Sequence, residues 1–153
     1  MHNPDRNLEH LFPAFAAKVQ HISKELTAWC QVHLPGYASA VAEGFRSVAR
    51  QQELYAQGRT TPGQIVTEKD GVAHPSNHQS SLAADLAFMH GGQLSWDVPQ
   101  AAWEYLQHLA HTEGLTSGSD WKTFKDMPHL EWPASDHATY AAAHVWQIEA
   151  GLR

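Results

Sequence analysis

Residues 82–88 read Leu-Ala-Ala-Asp-Leu-Ala-Phe, an apolar run with one acid at its centre. A run of this length closed by the Gly91-Gly92 turn predicts a buried strand. A buried strand needs elements to cover it, and it needs an explanation for Asp85. An unpartnered carboxylate inside such a strand costs several kcal/mol, so the acid must be paired or must hold a cation.

The rest of the chain supplies the cover. Leu8, Leu11, Phe12, Phe15, Val19, Ile22, Leu26, Trp29 and Cys30 recur in steps of three and four, the stripe of a helix facing a core. Pro13 suits a first helical turn and Leu34-Pro35-Gly36 a stop, so a helix is expected over 13–33 after a short lead-in turn. Tyr37 to Phe45, with Ala38, Ala40, Val41 and Ala42, is expected to hold a strand near its end, entering at Gly44-Phe45-Arg46. Ser47 can cap a helix from Val48 to Gln57, which Gly58 ends. Residues 58–77 are rich in Gly, Thr, Pro, Ser and Asn and read as a long loop, the kind that carries function in a small domain. A helix over Pro99–Glu113 places Ala102, Trp103, Leu106, Leu109 and Ala110 on one face. A loop over 116–126, a short strand over 128–132 and a last helix capped by Ser135 and running to Ala150 complete the chain. The order points to an α+β domain, a small, mainly antiparallel sheet packed with helices. At 153 residues, 42% of them apolar, one domain is expected over 1–153.

Other function classes are disfavoured. Ten basic against sixteen acidic residues give a net charge of −6, which argues against nucleic acid. No run approaches a membrane span, and the opening MHNPDRNLEHLF does not read as a secretory signal, so synthesis in the cytoplasm is expected. The single Cys30 lies on the first helix's apolar stripe and reads as core. Neither a disulfide nor a cysteine-rich metal site is available.

Twelve histidines remain to be sorted. His78 precedes Asp85 by seven residues, and His129 lies in the short strand. Two imidazoles and a carboxylate leave one position open on Zn²⁺, the pattern of a catalytic metal site. By spacing alone this competes evenly with a plain reading of hydrogen-bonded histidines and a paired aspartate. His74 and His78 share a loop, and His108 and His111 lie away from the apolar stripe of their helix, where solvation is the simpler expectation. Asp126, Asp120 and Glu131 are the acids near His129.

Four segments in order resemble the zinc peptidases of bacterial cell walls, the D-alanyl-D-alanine carboxypeptidase and dipeptidase superfamily. They are most similar to its L-alanyl-D-glutamate endopeptidase branch, which includes phage endolysins. Gly44-Phe45-Arg46, with Gln51, Leu54 and Tyr55, resembles the arginine-bearing strand end and the helix after it. Gly58 to Thr67 is similar to a loop of the endopeptidase branch. Ser76-Asn77-His78 with Ala83 and Asp85 resembles the SxHxxGxAxD zinc motif. Gly118-Ser119-Asp120-Trp121 and Asp126-Met127-Pro128-His129 resemble GGDW and DxPH. Ser81 and Ser119 stand at usual glycine positions, and a serine there strains the backbone where φ is positive.

The resemblance implies a hedgehog/DD-peptidase-like fold and one Zn²⁺ per chain on His78, Asp85 and His129. It implies Asp126 as general base, with Asp120 and Glu131 as rivals. Arg46 would steady an oxyanion or bind a substrate carboxylate, Ser76 would touch the substrate, and Trp121, Trp132 and Tyr55 are candidates for the cleft wall. The substrate implied is the stem peptide of peptidoglycan, cut between L-Ala and D-Glu. The alternatives are a D-Ala-D-Ala carboxypeptidase or dipeptidase, and a non-catalytic zinc module of the same fold. A monomer without a separate wall-binding domain or membrane insertion, reaching the wall through a holin-type pore, is the corresponding expectation.

Overall fold

A computed structural model describes all residues, Met1–Arg153. Four helices surround a five-stranded antiparallel sheet: α1 (Pro13–His33), β1 (Tyr37–Glu43), α2 (Val48–Ala56), β2 (Ala83–His90), β3 (Gln93–Ser95), α3 (Gln100–Thr112), β4 (Thr116–Ser117), β5 (His129–Glu131) and α4 (His137–Glu149). Strand order is β1-β2-β5-β4, with the short β3 also pairing with β2.

The helical stripes become the core. Leu11, Phe15, Val19, Ile22, Leu26 and Cys30 from the α1 side join Ala102, Trp103, Leu106, Leu109 and Ala110 of α3 in one buried cluster. Both sets are the residues expected from periodicity. Burying each large apolar side chain is worth about 1.5–3 kcal/mol. The sheet contributes Leu82, Ala84, Leu86 and Phe88, alternate residues on one face. The same alternation sends Asp85 to the opposite face. Cys30 is fully buried, as a core residue should be.

Several boundaries differ from expectation. The strand expected near the end of residues 37–45 starts earlier, running Tyr37–Glu43, and stops before Gly44. Gly44 leaves the sheet because its N–H bonds the Asp5 carbonyl at 2.6 Å. A Cβ on Gly44 would crowd Leu11 at 3.2 Å. The last helix is capped by Asp136 rather than Ser135, its carboxylate accepting from Thr139 N–H at 3.1 Å. The loop over 116–126 contains β4 and a 3-10 turn, Gly118–Asp120. Ser47 does cap α2, accepting from Arg50 N–H at 3.2 Å.

The register positions the site. β2 pairs with β5 so that Asp85 lies opposite His129. β1 pairs regularly with β2 as far as Val41 opposite Leu86, then shifts so that Glu43 lies opposite Asp85. A bulge of this kind re-aims the side chain that follows it. One row across three strands therefore carries Glu43, Asp85 and His129.

Candidate metal centre

His78 reaches this row from outside the sheet. It sits in a 3-10 turn, Asn77–Ser80, whose start is closed by a capping box: Ser76 Oγ accepts from His78 N–H at 3.3 Å, and Ser76 N–H donates to Gln79 Oε1 at 2.8 Å. The His78 ring is nearly fully buried, and its Nδ1 lies 2.7 Å from the Gly44 carbonyl. A carbonyl can only accept, so Nδ1 carries a proton, and Nε2 is the ring nitrogen turned toward the row. That Nε2 lies 3.4 Å from Asp85 Oδ1. His129 Nδ1 lies 3.2 Å from the same oxygen, while its Nε2 faces Glu131 Oε2 at 2.8 Å.

His78, Asp85 and His129 thus offer ligand atoms that all lie within 4.8 Å of one another. With metal–ligand bonds near 2.0–2.1 Å, the edge of a zinc tetrahedron is about 3.4 Å, which the two measured separations match. Each imidazole has its remote nitrogen held by an acceptor, the arrangement that orients histidine ligands toward a metal. The donor set fits a zinc ion.

The charges agree with this. Burial pushes the Asp85 carboxyl up, but the flanking His78 and His129 overcome it and hold it well below the usual carboxylate range. Burial pulls the His129 imidazolium down, yet its bonds to Asp85 and Glu131 push it up to about 9. An ion with two positive charges would take the place of that proton.

Asp126 behaves oppositely. Its carboxyl is raised, first by burial and then by the charge of Asp85. It lines the same cleft, and none of the side-chain hydrogen bonds of the cleft engages it. The rival acids are committed elsewhere. Asp120 binds His111 and Gln107 at 2.9 and 2.7 Å and accepts from Ser117 N–H at 3.0 Å, away from the cleft. His111 is exposed, as expected, and meets Asp120 on the surface. Glu131 is held by His129 and by Asn77 Nδ2 at 2.8 Å.

Arg46 is buried rather than on the surface. Its Nη2 meets Glu43 Oε2 at 2.6 Å and stands 3.8 Å from Asp85 Oδ2, while Nη1 donates to Gln51 Oε1 at 2.9 Å. Glu43 also accepts from Arg50 Nε at 3.0 Å. One donor, Arg46 Nε, is buried without a partner. The three candidate ligands, Asp126, Arg46 and Ser76 line a cleft of about 790 Å³, bordered by Val66–Lys69 and by Trp121 and Phe124. Trp121 lies against His129 with ring centroids 5.0 Å apart. Trp132 and Tyr55 do not reach the cleft: Trp132 packs under Lys18, and Tyr55 under Arg59 at 4.0 Å. A second hollow of about 440 Å³ runs along α1 past Gln20, Lys24 and Gln31, with no cluster of reactive groups.

Comparison with known proteins adds similarities to this geometry. Residues 70–132 match the D-alanyl-D-alanine carboxypeptidase family. That segment holds all three candidate ligands and Asp126, and the resemblance read from the motifs is borne out. Among curated proteins, the chain is 41% identical over 104 residues to the peptidoglycan L-alanyl-D-glutamate endopeptidase CwlK of Bacillus subtilis (strain 168). The match covers 63% of this chain and 61% of the relative, so the chain spans about three-fifths of that protein's length. Among solved structures, it is similar to the Serratia marcescens L-Ala D-Glu endopeptidase ChiX, with TM-score 0.56, 24% identity and 86% of each chain covered. It is also similar to the vancomycin-resistance D,D-dipeptidase VanXYg, bound to a D-Ala-D-Ala phosphinate analogue, with TM-score 0.55 and 19% identity over 96% of this chain and 62% of that one. At these identities the two structures establish the α+β fold, as expected from the order of elements.

Glu43 and Gln79 were not singled out from sequence as parts of the site, and Gln51 and Asn77 entered only within motifs, with no role of their own. Glu43 and Arg46 are three residues apart, a visible spacing, but their pairing depends on the bulge in β1.

Proposed function

We propose that this chain is a zinc-dependent peptidoglycan peptidase that hydrolyses the stem peptide between L-Ala and D-Glu. The observation that carries the reading is the convergence of His78, Asp85 and His129 beside an uncommitted, raised carboxyl, Asp126, in one open cleft. The similarity to CwlK over 104 residues favours this bond over others of the stem peptide.

Bound Zn²⁺ would supply Lewis acidity and make water a usable nucleophile near neutral pH. Asp126 is the group placed to take the proton of the attacking water and return it to the leaving amine. A carboxyl raised above its ordinary value is a better proton carrier near neutrality than an unperturbed one. Arg46, fixed by Glu43 and Gln51 with its Nη2 3.8 Å from Asp85 Oδ2, brings a positive charge to the cleft wall that steadies a substrate oxygen gaining charge. Ser76 uses its lone pair on the His78 amide and keeps its O–H to donate to the peptide. Glu131 orients His129 and is itself braced by Asn77. Residues 1–153 act as one catalytic unit, and no helix is long and apolar enough to cross a membrane.

The test is digestion of purified sacculi by zinc-loaded protein, with mass spectrometry of the fragments. New D-Glu amino termini are expected. Asp126→Ala should abolish cleavage while retaining stoichiometric zinc. Free D-Ala or D-Ala-D-Ala as sole product would move the chain to carboxypeptidase or dipeptidase chemistry. No product from a zinc-bearing parent would make it a binding module.

A further inference from the structure

Between His78 and Asp85 the chain makes a strained step at Ser81, where φ is +62°. Ser81 is fully buried, and a side chain in this left-handed conformation costs about as much as a hydrogen bond gives. Its hydroxyl has a use. Gln147 of α4, also fully buried, donates through Nε2 to Ser81 Oγ at 2.7 Å and to the Gln79 carbonyl at 2.9 Å. Both amide hydrogens are thereby spent on the two residues flanking Ser80. The Gln147 Oε1 accepts from Arg153 Nε at 2.7 Å, and Arg153 Nη2 donates to the same Gln79 carbonyl at 3.2 Å.

Gln79 is fixed from its other side as well. Its Oε1 receives Ser76 N–H and its Nε2 donates to the Gly71 carbonyl at 3.0 Å. The turn bearing His78 is thus gripped at the residue that follows the ligand, by groups 66 to 74 positions away in sequence. Packing alone would be served by an apolar side chain at position 147. A buried amide with every donor and acceptor matched defines position more narrowly than an apolar contact does.

We propose that Gln147 and Arg153 are positioning residues for the ligand His78, acting through the Gln79 carbonyl and the Ser81 hydroxyl. The inference rests on His78 being a zinc ligand, as the proposed function has it. It predicts that loosening this grip changes the geometry at the metal, not only the stability of α4.

Gln147→Leu, which keeps the volume and removes the amide, and Arg153→Ala are the variants. Zinc affinity is measured by chelator competition, and the visible absorption of the Co²⁺-substituted protein reports the coordination geometry. Gln147→Leu should weaken zinc binding about 10-fold, the lower end for outer partners of metal ligands. Arg153→Ala should weaken it less, about 3-fold, since Gln147 keeps its own bonds. Both should shift the Co²⁺ bands. Parental zinc affinity and parental Co²⁺ bands in both variants, whatever their melting temperatures, would overturn the proposal. If Gln147→Leu does not fold, the largely exposed Arg153→Ala decides alone. A parent protein that binds zinc yet cuts no stem peptide would defeat the peptidase reading and leave this inference standing.

Discussion

Gly118→Ala tests how closely the GSDW segment is fitted to the site. Gly118 is buried, and its carbonyl accepts from Asp126 N–H at 3.1 Å. A Cβ at this position would lie 2.9 Å from the Asp126 carbonyl carbon and 3.0 Å from His129 Cβ, and closer still to the Asp126 carbonyl oxygen. Carbon–carbon contacts settle near 3.5–4.0 Å and the contact to the carbonyl oxygen is tighter still, so the segment carrying Asp126 and His129 must recede by about 1 Å or more. Overpacking of this kind costs about 1–3 kcal/mol of stability. A displacement of about 1 Å at reacting groups costs up to about 10²-fold in rate. The expected result is a folded protein whose turnover on sacculi at saturating zinc falls about 10- to 100-fold. Fragment release followed by chromatography gives the rate, and urea unfolding gives the stability. Ser119→Gly is the control: Ser119 has no positive φ, so restoring the usual glycine should change stability by less than about 1 kcal/mol. Parental turnover in Gly118→Ala would refute the steric argument.

Three further outcomes are expected. Ser81→Ala keeps the left-handed strain and loses the Gln147 bond, whereas Ser81→Gly loses the bond but sheds about 1–2 kcal/mol of strain; urea midpoints should rank glycine above alanine by about 1 kcal/mol, and the reverse order would disprove the strain. Asp70 is lowered to about 2 by the backbone amides of His74 and Val72 and by the His74 ring; its contribution to the 70–74 turn is complete above about pH 4, near the unfolded value, and is lost as pH falls through about 2. Protection of the His74 amide from hydrogen exchange should therefore drop over that window in the parent, with no such step in Asp70→Asn. Free Zn²⁺ at 100 times its dissociation constant should stabilise the fold by about 2.7 kcal/mol, a rise in melting temperature of about 5–10 °C for this length that chelator reverses; calorimetry showing no shift would count against a resident metal.

The parts of the fold that could be read from sequence are those with strong periodicity. The α1 and α3 stripes repeat every three or four residues and bury the residues expected. The bounds of β1 were less legible because Tyr-Ala-Ser-Ala-Val-Ala-Glu has little apolar contrast, and five of its seven residues are only partly buried. Asp85 announced itself by being an acid in an apolar run. His78 and His129 gained meaning only beside it, and their meeting depends on the register that sets Asp85 opposite His129. The Gln147 contact was illegible for a related reason. Glutamine on a surface helix is ordinary, and nothing local marks one whose amide is buried 68 residues from its acceptor. The Ser81 departure from glycine was visible in sequence, but its compensation was not.

The row Glu43–Asp85–His129 belongs to the sheet, whereas Val66–Lys69 and Phe124 belong to loops. Floor and rim are nonetheless tied through one side chain. Gln51 accepts from Arg46 Nη1 at 2.9 Å while its own amide donates to Thr67 Oγ1 at 3.2 Å and to the Lys69 carbonyl at 2.6 Å. Any change of length or sequence at 67–69 is therefore transmitted to the guanidinium beside Asp85, and the border of the cleft cannot be varied without touching its charges.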